Sequence, residues 1–215
     1  LTDNPYNLSY SSRRFSKKLI NCASKLSAYL SLTNKLLKDF KIISKPSYVF
    51  EGLVEDIKAD KNSDKNYFFF GGSLYERYGV KKLINAFSNN EVTNKLIVAG
   101  NGPLKKEIQE SDSIKFLGQI SKEQIYSYEQ NCLANINPRP LIDKVDLSSI
   151  PSKLLDYLAS GKPTISTKHP LLFETFKDEV FWIENSSEKG IEEAIPLILD
   201  AISENTKIRI IGDYD

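Results

Sequence analysis

Residues 147–166, Leu-Ser-Ser-Ile-Pro-Ser-Lys-Leu-Leu-Asp-Tyr-Leu-Ala-Ser-Gly-Lys-Pro-Thr-Ile-Ser, hold the densest chemistry in the chain. They read as a polar loop, a short helix, a glycine stop and a buried strand. Pro151 and Ser152 suit the first helical turn, where backbone N–H groups have no internal partner. Gly161 suits the C-terminal cap, with Pro163 close behind. Such a helix aims free amides and a positive dipole end at an anion, typically a phosphate. Asp156 follows just over a turn later and is placed for ribose hydroxyls. Lys153 opposes the dipole at the helix start, which suits either a nearby anion or a solvent-exposed lysine.

Three further groups of residues bear on the same chemistry. Gly71-Gly72-Ser73-Leu74-Tyr75-Glu76-Arg77-Tyr78-Gly79-Val80 reads as a strand, a tight turn and a helix with one guanidinium. A guanidinium is always charged and bonds a diphosphate bidentately; the plainer reading of Arg77 is a surface salt bridge. Gly100-Asn101-Gly102-Pro103 is a tight turn and lacks the spacing of the dinucleotide fingerprint. Asp143, Asp146 and Arg139 lie in or beside the long polar loop 137–149, as solvated loop residues or sugar contacts. His169, the single histidine, reads as a surface residue in a Lys-His-Pro loop. Cys22 and Cys132 have no metal-ligand spacing and read as buried thiols in a reducing cytosol. No metal site is expected.

Composition excludes several classes. Lys plus Arg number 29 against 28 Asp plus Glu, so the chain lacks the basic excess of a dedicated nucleic-acid binder. No apolar run approaches the ~18 residues of a membrane span, and no secretory signal is visible. Residues 11–27 form a basic amphipathic pattern (Phe15, Leu19, Ile20, Ala23, Leu26 among Arg13, Arg14, Lys17, Lys18, Lys25). That face suits a partner domain or solvent, and secondarily peripheral contact with an anionic membrane. A cytoplasmic location is expected, with membrane association through this segment as the lesser alternative. The chain begins with Leu1 and contains no methionine, so an internal fragment or trimmed chain is expected.

The elements that must carry these residues alternate. Strands are expected at 28–32, 47–50, 67–70, 95–99, 114–117, 133–137, 163–166 and 180–183. Helices are expected over 34–40, capped by Thr33, and over 79–88, 103–110, 122–130 (capped by Ser121), 151–160 and 188–202. Residues 55–66 are almost wholly polar and read as a linker or exposed loop. Strands alternating with helices imply an α/β fold, a parallel sheet covered on both faces. Ligands in such folds bind at the carboxyl ends of strands. The Gly71-Gly72 turn, the Gly100–Pro103 turn, the 137–149 loop and the tip of the 151 helix are therefore expected on one rim.

Four motifs in order, Phe-Gly-Gly-Ser-Leu-Tyr-Glu-Arg-Tyr-Gly-Val (70–80), Ile-Val-Ala-Gly-Asn-Gly-Pro (97–103), Phe-Leu-Gly (116–118) and Pro-Ser-Lys-Leu-Leu-Asp-Tyr-Leu-Ala-Ser-Gly-Lys-Pro (151–163), carry a family resemblance. Together they resemble the donor-binding half of family-4 retaining glycosyltransferases of the GT-B fold. The likeness runs from about residue 28 to about residue 200. It implies a Rossmann-like C-terminal domain over 67–203 that binds a UDP- or GDP-type nucleotide sugar as substrate, with no cofactor. Residues 1–54 would be the end of the N-terminal acceptor domain and its hinge (Glu51-Gly52-Leu53), and 204–215 a C-terminal arm.

The resemblance also assigns roles. Gly71, Gly72, Ser73 and Arg77 would hold the diphosphate, together with Ser152 and Lys153 at the helix tip. Arg77 would be the catalytic residue, stabilising the departing diphosphate without an obligatory metal. The backbone of Gln119 and Ile120 would meet the base, and Asp156 the ribose. The family's paired glutamates lie eight residues apart; the first falls at Ser148, so the backbone of Ser148, Ser149 and Ile150 would have to recognise the sugar. Tyr78 stands where the family commonly has Lys, and Ser73 where many members are basic. The acceptor, a glycan or lipid-linked sugar, would be read by a domain largely absent from this chain. Two other readings remain open: a non-catalytic nucleotide-sugar subunit of a split glycosyltransferase, and a regulatory α/β domain whose ancestral site has decayed.

Overall fold

Four consecutive aromatic residues, Tyr67-Phe68-Phe69-Phe70, fit only a strand covered on both faces, and all four are buried. They open strand β3 (Tyr67–Gly71) in a computed structural model that describes residues 21–22, 25–40, 42, 44–50, 52, 54, 66–88, 94–141, 150–184 and 186–204. The chain divides into two units: Leu1–Leu53 with Leu141–Pro151, and Val54–Pro140 with Ser152–Asp215.

The described part of the first unit is a small β-α-β piece. Strands β1 (Tyr29–Ser31) and β2 (Ser47–Val49) pair in parallel, Tyr29 opposite Ser47. Helix α1 (Asn34–Asp39) lies between them in sequence, and the Thr33 side chain accepts the Leu36 N–H as its N-cap. Most of the amphipathic stretch 11–27 and of the 55–66 linker lies outside the described residues.

The second unit holds β3, β4 (Lys95–Ala99), β5 (Ile114–Phe116), β6 (Ala134–Asn137), β7 (Thr164–Thr167) and β8 (Phe181–Ile183). All pair in parallel in the order β5-β4-β3-β6-β7-β8. The chain starts in the middle at β3, winds outward to β5, then returns past β3 to β6 and winds the other way. This is a Rossmann-like sheet, and its switch point lies between β3 and β6.

Helices α2 (Val80–Ser88), α3 (Lys122–Gln130), α4 (Ser152–Ala159) and α5 (Glu188–Ser203) cover the sheet. On one face Phe68 and Phe70 pack with Val80, Leu83 and Phe87 of α2 and Ile191, Ile195 and Ile198 of α5. On the other, Tyr67 and Phe69 pack with Ile97, Ala99 and Cys132, flanked by Ile125 and Tyr128 of α3. The two-residue period of the strand thus splits four adjacent aromatics between two cores. Ser121 caps α3 through a capping box with Gln124, and Gly161, at φ 72°, ends α4 in the left-handed region. Among the described residues no helix is long and apolar enough to cross a membrane.

Three expectations are corrected. The helix expected over 103–110 is only a 3₁₀ turn, Pro103–Lys106. Leu104 and Ile108 reach the core, but the following Ser-Asp-Ser stretch bonds its own backbone instead, the Ser111 hydroxyl accepting the Ile114 N–H at 3.2 Å. His169 is buried, not at the surface: its Nδ1 accepts the Leu171 N–H at 3.3 Å, and its carbonyl accepts the Leu172 and Phe173 amides. Cys22 is exposed, whereas Cys132 is buried as expected.

Phe68 is fully buried and meets Phe87 edge-to-face with ring centroids 5.6 Å apart. Phe68→Ala should therefore destabilise the second unit by about 3–5 kcal/mol in denaturant titrations, through lost burial plus the cavity left behind. A loss below ~1 kcal/mol would contradict this account of the core.

Candidate functional site

The rim above the carboxyl ends of β3, β4 and β5 is stitched together by short backbone contacts. The Gly72 amide donates to the Ala99 carbonyl at 2.8 Å, Leu74 to Asn101 at 2.9 Å, and Gly100 to Gly118 at 2.7 Å. Asn101 then reaches Gln119, Nδ2 to Oε1, at 3.3 Å. A β-carbon on Gly100 would fall on the Gly72 carbonyl, so the first two glycine turns can approach this closely only as glycines. Ser73 and Gln119 are exposed on this rim, and Ile120 is half-buried against the second core.

Helix α4 joins the rim through a buried phenol. The Gly71 amide donates to the Tyr157 hydroxyl at 3.2 Å, and Tyr157 is fully buried. Burial raises the Tyr157 pKa well above 10, so the hydroxyl stays neutral. One turn earlier on the same helix face, Lys153 lays its ammonium 5.7 Å from the centroid of the Tyr157 ring. The lysine runs up against the first glycine turn: a β-carbon on Gly72 would lie 2.9 Å from Lys153 Nζ. Lys153 makes no hydrogen bond or ion pair with a described residue. Of the two readings open from sequence, the solvent-exposed one is set aside, since Lys153 is half-buried.

Behind Lys153 stands an acid that nothing in the sequence singled out. Glu129, at the end of α3, is 1 % exposed, and its Oε2 has no hydrogen-bond partner among the described residues. Burial, opposed by the Lys153 charge and reinforced by Asp156, pushes its pKa up to about 8. Burial likewise lowers the Lys153 pKa, against the pull of Glu129 and Asp156. Glu129, Lys153 and Asp156 are thus one electrostatic cluster beneath the glycine turn, with Tyr157 and Cys132 beside it.

The guanidinium of Arg77 belongs to a second cluster at the switch point. The 3₁₀ turn Glu76–Tyr78 after β3 ends at Gly79, whose φ of 76° is left-handed. A β-carbon on Gly79 would collide with the Pro138 carbonyl oxygen, so this glycine lets the turn pack on the segment leaving β6. Arg77 and Arg139 then lie over one aromatic ring, their Cζ atoms 5.5 and 5.4 Å from the Tyr78 centroid.

The structure therefore brings Gly71, Gly72, Lys153 and Asp156 together, and sets Gln119 on the same rim. It places Arg77 with Tyr78 and Arg139. Ser152 is exposed at the start of α4. Ser148 and Ser149, with Asp143 and Asp146, lie outside the described residues, and Ile150 groups with the first unit. Sequence reasoning missed Tyr157 and Glu129. Tyr157 was legible in principle, lying four residues after Lys153 and hence on its face. Glu129 had no signal, because only its packing makes it unusual.

Comparison with known proteins follows from this geometry. Residues 54–211 match the family model described as glycosyl transferases group 1. TarM of S. aureus is similar in structure, with TM-score 0.70 and 14 % identity over 99 % of this chain and 45 % of that one. Anabaena Alr3699/HepE in complex with UDP and glucose gives 0.66 and 16 % over 98 % of this chain and 63 % of that one. The pneumococcal O-GlcNAc transferase GtfA in complex with UDP and GlcNAc gives 0.66 and 15 % over 92 % and 42 %. The chain spans under two thirds of each of these structures. In sequence, a 91-residue stretch (42 % of this chain) is 33 % identical to 13 % of the kinetochore protein NDC80 of Saccharomyces cerevisiae, too small a share to carry a family.

The Glu129 shift has a definite sign. Its folded pKa of about 8 exceeds the usual 4.5, so its contribution to stability is complete below pH 4.5 and is lost as pH rises through 8. Lys153, with a lowered pKa, acts in the opposite sense nearer its own ordinary range. Glu129→Gln removes only the first effect. Denaturant titrations at pH 6 and pH 9 should show the glutamine variant gaining on the parent at the higher pH; an unchanged difference would refute the assignment.

Proposed function

The chain belongs to the group 1 glycosyl transferases, and on that premise we propose that it is the donor-binding part of a retaining enzyme of family 4. Its second unit would hold a UDP- or GDP-type nucleotide sugar at the β3–β6 switch point. The sugar would pass to an acceptor glycan or lipid-linked sugar read by the other domain, of which residues 1–54 are the end. The observation that carries this reading is Lys153: a half-buried ammonium, set against the Gly72 turn, with no protein acceptor among the described residues. A half-buried ammonium that lacks a hydrogen-bond acceptor is costly unless an anion visits it.

Each residue then has a task. Backbone amides of the Gly71-Gly72-Ser73 turn and of the Ser152 end of α4 would meet phosphate oxygens, with Lys153 and Arg77 supplying charge. Asp156 would accept the ribose hydroxyls, and the backbone of Gln119 and Ile120 would face the base. Ser148, Ser149 and Ile150 would meet the sugar through their amides and carbonyls. As the glycosidic bond to the diphosphate breaks, negative charge grows on the leaving oxygen. Fixed cations and amides lower that barrier most when they already point there. The nucleotide sugar is the substrate, and on this reading the protein's own cations meet the leaving charge. HepE and GtfA, which share the fold, were solved with UDP, which supports a nucleoside diphosphate as the ligand class.

Thermal shift and calorimetry with UDP, GDP and ADP test the proposal. One of them should raise the melting temperature, since a ligand that binds only the native state stabilises it. Arg77→Ala should weaken that binding by about 1.5–3 kcal/mol, the size of a charge-assisted hydrogen bond. Silence from all three nucleotides at millimolar concentration would sink the donor-binding reading in favour of a decayed domain.

A further inference from the structure

Among the described residues Glu129 is the only buried acid. Its backbone is pinned. The Glu129 carbonyl accepts the Cys132 thiol at 3.2 Å and the Asn135 side-chain amide at 3.2 Å, and the same amide donates to the Ser160 hydroxyl at 3.0 Å. The end of α3 is thereby tied through β6 to the residue that follows α4, the helix that carries Lys153. The carboxyl group itself has no such anchor, since its Oε2 lacks a hydrogen-bond partner among the described residues. The titratable groups around it are Lys153, Asp156 and Tyr157 on α4 and Cys132 before β6. Tyr67 of β3 lies beyond Cys132, and its hydroxyl donates to the Tyr128 carbonyl at 3.1 Å. Lys153 is the cation of this group, and its ammonium ends at the Gly72 turn. No hydrogen bond or ion pair joins Glu129 to Lys153 among the described residues, so the two act on each other through their fields.

We propose that Glu129 is a positioning residue for the donor diphosphate: it is the internal counter-ion of Lys153 in the empty site, and it takes up a proton from solvent when a diphosphate binds at the Gly72 turn. This role rests on the donor-binding reading and deepens it. A half-buried ammonium needs negative charge nearby, and Glu129 supplies it from inside the fold. A diphosphate at the glycine turn brings its own. Lys153 then has two anions beside it, and they repel each other where water screens poorly. A proton on the carboxyl group removes that repulsion and leaves the ammonium to the phosphate. Burial has already pushed the Glu129 pKa up to about 8, so the proton is within reach near neutral pH. The phosphate charge raises it further. Protonation and nucleotide binding are therefore linked, each favouring the other by the same factor.

Calorimetry with the best-binding of UDP, GDP and ADP, run in buffers of different ionisation enthalpy, counts the proton. At pH 8 the parent should take up as much as about half a proton per nucleotide, the fraction of Glu129 that is ionised in the empty site. Its affinity should fall about fourfold between pH 7 and pH 8.5 as that fraction grows. Glu129→Gln keeps the shape and carries no titrating group. It should lose most of the uptake and bind with nearly the same affinity at both pH values. Glu129→Leu, which buries without a polar group, gives a second reading with the same expectation. A merely structural glutamate would instead weaken binding by one factor at every pH and leave the uptake unchanged. Uptake or pH dependence that persists unchanged in both variants puts the proton on another group and overturns the role. A parent that binds the diphosphate at pH 8 without proton uptake overturns it too; either result leaves the donor site standing. A parent that binds no nucleoside diphosphate overturns the underlying functional reading as well.

Discussion

A single hydrogen bond sets the geometry on which the candidate site depends: the Gly71 amide, at the end of the central strand, donates to the fully buried hydroxyl of Tyr157. A strand's last amide needs an acceptor once it is out of water, and so does a buried phenol need a partner. Each satisfies the other, and the bond docks helix α4 onto the end of β3. Everything else on α4 then has its place. Lys153, one helical turn before Tyr157, must lie beside Gly72; Asp156, its immediate neighbour, must lie beside the same cluster. Without a side chain on Gly72 the lysine can run directly against the turn.

The electrostatics run against fold stability. Among the described residues Glu129 is buried with an oxygen unpaired, and Lys153 is half-buried beside it without a hydrogen bond. Such groups cost free energy on folding, and each one's pKa shifts toward its neutral form. Proteins keep costly arrangements of this kind mostly where a ligand offsets them. Protonation of Glu129 leaves the ammonium of Lys153 less neutralised from behind. The second charged group is separate and of another type: Arg77 and Arg139 share the Tyr78 ring, both at segments that leave the sheet's switch point. One ammonium at the first glycine turn and two guanidinium groups at the strand exits gather at this end of the sheet, with Glu129 and Asp156 beside the ammonium.

Much of the fold was legible because its signals are local. The aromatic run of β3, the glycine turns that follow β3 and β4, the Ser121–Gln124 capping box and the apolar spacing of α2 and α5 each state a backbone conformation within a few residues. The 103–110 stretch failed for the same reason turned around. Leu104 and Ile108 have helical spacing, but the serines that follow compete for the backbone, and one apolar pair is too little to hold two turns. His169 failed because a Lys-His-Pro triplet reads as surface, while its ring is enclosed and its carbonyl anchors the turn that follows.

The sequence by itself determined the alternation of strands and helices, the doubly covered parallel sheet, the rim on which the glycine turns converge and the membership that residues 54–211 carry. These follow from periodicity, turn chemistry and motif order, all written along a single strand of text. Only the tertiary structure decided which charges meet. Glu129 and Lys153 lie 24 residues apart, and Arg77 and Arg139 lie 62 apart, joined by packing across β3 and β6. Burial and mutual field are properties of that packing, so an ordinary glutamate and a loop arginine became distinctive only once the sheet had closed around them.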